Sequence, residues 1–226
     1  MDILSIVAWA SLALAFVCAL WISLNEFRHP QKMWIMNIVW PVTALYFSVF
    51  ALWAYYGIGR HMTVDSQPRP SQPKQQGPTP SQVAVSTSHC GAGCALADVV
   101  AEFVVFAAGL ALFGVSLFAS FALDLIAAWL LGIAFQYFTI KPMRNLSARE
   151  GLAAAIQADT LSIIAFQIGM YAWMALVFFV LFPGPHLRPN QAAFWLMMQI
   201  GMIAGFFTSY PMNRWLLKRG IKEAMG

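Results

Sequence analysis

Long, uninterrupted apolar runs separated by short polar punctuation dominate this chain. None of them alternates at every second residue as a half-buried strand does. A helix needs about 20 apolar residues to cross a ~30 Å hydrocarbon core, and there the backbone must satisfy its own hydrogen bonds. The pattern therefore predicts an all-α, polytopic membrane protein with six transmembrane helices, at residues 3–24, 33–58, 95–114, 117–140, 148–182 and 191–217. Pro41 falls inside the second run and predicts a kink there. Pro142, after Lys141, stops the fourth, and Ser147 with Glu150 has the form of a capping box that starts the fifth. Pro183-Gly184-Pro185 ends that helix.

Between the second and third runs the pattern changes abruptly. Residues 61–88 carry Pro68, Pro70, Pro73, Pro78 and Pro80 among Ser, Gln and Lys, which predicts a flexible linker. The expected organisation is an N-terminal transmembrane hairpin (1–60), a linker (61–88) and a four-helix membrane core (89–226). A shift of 69 residues brings Gly132, Phe138, Thr139, Pro142 and Met143 onto Gly201, Phe207, Thr208, Pro211 and Met212, and Asp98 onto Gln167. Those coincidences suggest that the core is two copies of one hairpin, with polar residues of the copies facing one another.

Composition agrees with the pattern. The chain is 60% hydrophobic and only 10% charged, against about 25% charged in soluble domains. Six crossings put both termini on one side. With that side inside, ten basic residues fall on inner segments and only Arg28, Lys32 and Arg188 on outer ones, so both termini are expected in the cytoplasm of a bacterial plasma membrane. The pI near 9.1 then follows from topology and gives no reason to invoke nucleic acid. The expected partner is the lipid bilayer; a homo-oligomer is compatible with polar interior faces, and protein partners are not specified.

The candidate chemistry centres on His89-Cys90-Gly91-Ala92-Gly93-Cys94. Cys18 is the only other cysteine. At a helix start, Cys90 and Cys94 share one face with His89 beside them, and a helix N-terminus favours the thiolate that binds metals. Imidazole and thiolates suit a copper or zinc ion. Met33, Met36, Met170, Met174, Met197, Met198 and Met202 recur at helical spacings, as thioether ligands or as adaptable packing. The spacing is neither a zinc ribbon nor a haem-attachment motif, and no fourth ligand is identifiable. A thiol redox pair and a structural turn remain alternatives.

Below the cluster come groups that are costly in a bilayer and usually mark a protein interior or a water-filled path. Asp98 and Glu102 share a helix face, Asp124 lies on the fourth run, Asp159 near the start of the fifth, and Gln136, Gln167 and Gln199 on the last three. Together they predict a polar transmembrane path, with glutamines as interhelical glue the plainer reading. His29, His61 and His186 lie at run ends, so a bundle-bound haem is not expected, and no phosphate loop or catalytic triad order appears.

His-Cys-Gly-Ala-Gly-Cys followed by Leu96-Ala97-Asp98, Phe135-Gln136-Tyr137-Phe138, Ala158-Asp159-Thr160-Leu161-Ser162, Phe166-Gln167-Ile168-Gly169-Met170-Tyr171, and Tyr210-Pro211-Met212-Asn213 through Met225 resembles a bacterial membrane family, domain-of-unknown-function family 4396. The resemblance runs from about His89 to Met225. It implies a four-helix membrane core and supplies no activity, substrate or cofactor. The functional expectation is soft-metal binding and transport through His89, Cys90 and Cys94 above the carboxylates. A membrane assembly factor or sensor scaffold is the alternative, and a thiol redox protein the weaker one; nothing points to an enzyme.

Overall fold

A computed structural model describes residues 2–66 and 77–223, apart from the side chains of residues 142 and 143. The proline-rich stretch 67–76 and residues 224–226 lie outside the described residues. The fold is all-helical and polytopic. Seven α-helices are described: α1 (Ile3–Arg28), α2 (Met36–Phe47), α3 (Val49–Gly57), α4 (Pro80–Ala108), α5 (Ser116–Arg144), α6 (Ala148–Leu176) and α7 (Ala192–Lys218). Five of them, α1 and α4 to α7, are long and apolar enough to cross a membrane.

Local chemistry sets the helix ends. Asp2 caps α1 by accepting from the Ser5 N–H at 2.9 Å. Thr79 with Gln82 and Ser147 with Glu150 form capping boxes at the starts of α4 and α6. Gly109, in the left-handed region at φ 63°, ends α4. The α6 capping box is the expected one. The α4 box places the helix start at Pro80, so residues 80–88, which look like linker by composition, form the first turns of a helix.

The second apolar run takes a form that its length does not announce. It is continuous past Pro41, which lies in the second turn of α2, and breaks at Ser48, whose φ is 48°. Helix α3 then folds back along α2. The Tyr55 ring meets the Trp40 indole edge-on at 5.7 Å, and Gly59 lies so close beneath that indole that a Cβ there would sit 2.7 Å from it. The two ends of the excursion are tied together: Gln31 pairs with Thr63, and the Lys32 N–H donates to the Met62 carbonyl at 3.0 Å. Twelve residues of α2 rise only about 18 Å, short of a ~30 Å core. The run is therefore a helical hairpin that enters and leaves at one end of the bundle.

Helices α4 to α7 pack in sequence around a closed ring, with α7 also against α4. The start of α4, the end of α5, the start of α6 and the end of α7 share one end, as the Tyr210 bond to the Pro80 carbonyl and the Arg144–Glu223 ion pair require. Trp34, just before α2, meets Phe138 of α5 near that same end. Helix α1 runs parallel to α7: Ser11 donates to Gln199 at 2.7 Å, and Asn25 accepts from Tyr55 at 2.9 Å. Asp2 and Glu223 consequently lie at opposite ends of the bundle.

Candidate functional site

Helix α4 carries most of the candidate residues. Because it begins at Pro80, His89 lies nine residues inside it, and neither cysteine is at a helix N-terminus. His89, Cys90 and Cys94 are all buried. At about 100° per residue, His89 and Cys90 face different neighbours. His89 turns to α5, its Nε2 lying 3.3 Å from Thr139 Oγ1 and its ring edge-on to Phe135. Between the cysteines, Gly91 lies under the Tyr46 hydroxyl and the Phe166 ring, where a Cβ would sit 2.7 and 2.9 Å away. Among the described residues, no group of three or more His, Cys, Asp or Glu side chains is brought together in a way that could hold a metal ion. The methionines singled out for their spacing are core packing: Met36, Met170, Met174, Met197, Met198 and Met202 are buried among apolar side chains, with Met33 against them.

One turn after Cys94 the polar groups converge. Asp98 accepts from the Gln167 amide at 3.4 Å, and Glu102 accepts from the Ser120 hydroxyl at 2.9 Å. Asp124, on the adjacent α5, is buried as well. Neither oxygen of Asp124, nor Asp98 Oδ2, has a hydrogen-bond partner among the described residues. Tyr171 closes this region from α6, stacked on Phe121 at 4.0 Å and donating to the Phe121 carbonyl at 2.6 Å. No Lys, Arg or His among the described residues pairs with Asp98, Glu102 or Asp124. Asp98 and Gln167, which bond, are 69 residues apart, so one polar pair related by the internal offset meets in the bundle.

Asp159 belongs to a different environment. Lys222 follows α7, and at Gly220, φ 67°, the chain turns back so that the Ile221 N–H reaches the Leu216 carbonyl at 3.1 Å. Lys222 Nζ then enters the bundle and donates to Asp159 at 2.7 Å, with both side chains fully buried. Ser162, Ser209 and Asn213 surround the pair with a hydrogen-bonded network. Gln136 is buried with neither amide atom partnered among the described residues. Gln199 serves as a tie between elements, accepting from Ser11 of α1 and donating to the Leu45 carbonyl of α2 at 2.7 Å. The polar positions thus divide into a carboxylate group (Asp98, Glu102, Asp124 with Gln167), an ion pair (Asp159–Lys222) and a bridge (Gln199).

Sequence reasoning missed Lys222 and Ser120. Lys222 looks like one more surface charge after a helix, and only its place behind Gly220 could have drawn attention to it.

A family model described as a domain of unknown function (DUF4396) matches residues 80–222. The chain belongs to this family. No curated protein and no solved structure matches it. The matched segment opens on the first residue of α4 and closes on Lys222, so it contains both the carboxylate group and the buried ion pair, while α1 to α3 lie outside it.

Proposed function

We propose that this is a membrane transport protein in which protons occupy the site formed by Asp98, Glu102 and Asp124. The observation that supports this reading is three buried carboxylates on two adjacent helices with no cationic partner among the described residues. Each acidic side chain at the centre of a spanning helix costs about 2.5–3.5 kcal/mol on insertion scales. Three of them cost about as much as a typical stability margin of ~5–15 kcal/mol, which purely structural groups rarely do. The carboxylate oxygens of this site do not suit Cu(I), which prefers sulfur ligands.

In this reading the protein sits in the plasma membrane with its basic end in the cytoplasm. Among the described residues, Arg28, Lys32, Arg60, Lys141, Arg144, Arg149, Arg214, Lys218 and Arg219 belong to that end and Arg188 to the other, and short basic segments stay inside. The N-terminus is then extracytoplasmic and the C-terminus cytoplasmic.

The test is proton flux into proteoliposomes under an imposed gradient, followed with an entrapped pH dye. Flux well above that of empty vesicles, and lost in Asp124→Asn, is expected. Equal flux in wild type, Asp124→Asn and protein-free vesicles would sink the proposal.

A further inference from the structure

Between α1, α2, α4 and α7 lies a cavity of about 400 Å³. Its walls are almost wholly apolar and rich in rings: Trp9 and Phe16 of α1, Tyr46 of α2, Phe103 of α4 and Trp195 of α7. One carboxylate lines it, that of Asp98, which is fully buried and whose Oδ2 has no partner among the described residues. Gln199 also lines the cavity, but its amide is already engaged by Ser11 and Leu45.

The geometry points to a binding site for a lipophilic organic cation, with its charge at Asp98 and its apolar body against the aromatic walls. Three features select that chemistry. The volume falls in the ~300–1,000 Å³ range of small-molecule sites. Aromatic faces attract a cation within about 6 Å of the ring, most strongly when water is excluded. A buried carboxylate with one oxygen unpartnered and no cation beside it favours a positive ligand and opposes a negative one of the same shape. About a third of the wall comes from α1 and α2, outside the family segment, so the N-terminal helices complete a site whose charge the core supplies. The inference rests on the transport reading in that Asp98 is common to both, and it adds a second ligand, an organic cation, to the proton proposed there.

Equilibrium dialysis of the full chain in detergent, with tetraphenylphosphonium as probe and tetraphenylborate as its anionic isostere, tests the site. Saturable binding of the phosphonium and none of the borate is expected. Asp98→Asn should weaken phosphonium binding at least about tenfold. Ala95→Phe, which fills the cavity without altering charge, should weaken it comparably. Because the comparison of the two probes uses wild-type protein, it decides the matter even if a variant does not fold. Equal binding of the two ions, or undiminished phosphonium binding to folded Asp98→Asn, overturns the assignment. If phosphonium does not bind while Asp124-dependent proton flux persists, the cavity assignment alone falls. If phosphonium binds through Asp98 without any flux, the site stands and the transport reading falls.

Discussion

Lys222 donates to Asp159 at 2.7 Å inside the bundle, with neither side chain exposed. The lysine arrives from beyond the end of α7, so the last described turn of the chain locks the start of α6 to α7. Ser162, itself held by Ser209 and Asn213, accepts a second, longer bond from Lys222 at 3.5 Å, while Asp159 Oδ2 has no hydrogen-bond partner among the described residues, so the ion pair itself offsets most of the cost of burying two charges.

Removing one member should therefore cost more than removing both. Lys222→Met leaves Asp159 buried and unpaired, a change that costs about 3–5 kcal/mol in comparable cases. A marked drop in thermal midpoint in detergent is expected, with much of it restored in Asp159→Asn/Lys222→Met. A Lys222→Met protein melting like wild type would show that the pair does not hold the fold.

Helix α7 approaches α6 closely at Gly205, where a Cβ would come within 2.7 Å of the Phe166 carbonyl oxygen and the Phe166 ring. Backbone cannot yield as a flexible side-chain tip can. Gly205→Ala should destabilise by about 1–3 kcal/mol. Gly57→Ala, where a Cβ meets nothing within 4 Å, should leave the melting curve in place. Matching curves for the two variants would contradict the close contact.

In the topology proposed above, α2 and α3 do not cross, and the chain crosses five times. In a cysteine-free background, Asn190→Cys and an N-terminal tag should react with a membrane-impermeant reagent from outside intact cells. Ser66→Cys should react only after permeabilisation. Labelling of Asn190→Cys from outside with the N-terminal tag protected would restore six full crossings.

His89 faces Thr139 while the thiols sit elsewhere on α4. Elemental analysis of purified protein should accordingly find copper and zinc well below one per chain, and the same amounts in Cys90→Ser/Cys94→Ser. One equivalent of either metal, lost in the double variant, would reinstate the soft-metal site.

The carboxylate group was legible in the sequence because an ionisable residue within an apolar run is conspicuous by its cost. Asp98, Glu102 and Asp124 stand out in this way, and the 69-residue offset pairs Asp98 with the glutamine that bonds it. The orientation of His89 was not legible. Residues 80–88 are polar enough to read as linker, yet Ser86, Thr87 and Ser88 are small, and Thr87 returns its hydroxyl to the Val83 carbonyl at 2.8 Å, so the helix buries them. The helix start therefore lies about four turns before the expected residue 95, which places His89, Cys90 and Cys94 inside the helix and not at its N-terminus.

By itself the sequence determined that this is a polytopic helical membrane protein with acidic groups inside, because run length and the cost of buried charge are properties of composition along the chain. Tertiary structure alone decided that residues 33–58 turn back at Ser48, that Lys222 is an interior cation, and that Asp98 meets an aromatic cavity. Each of these depends on which surfaces come together: Trp40 on Tyr55, the Gly220 turn against Leu216, and α1 and α2 against α4 and α7. Such pairings join segments far apart in the chain, where local hydropathy carries no record of them.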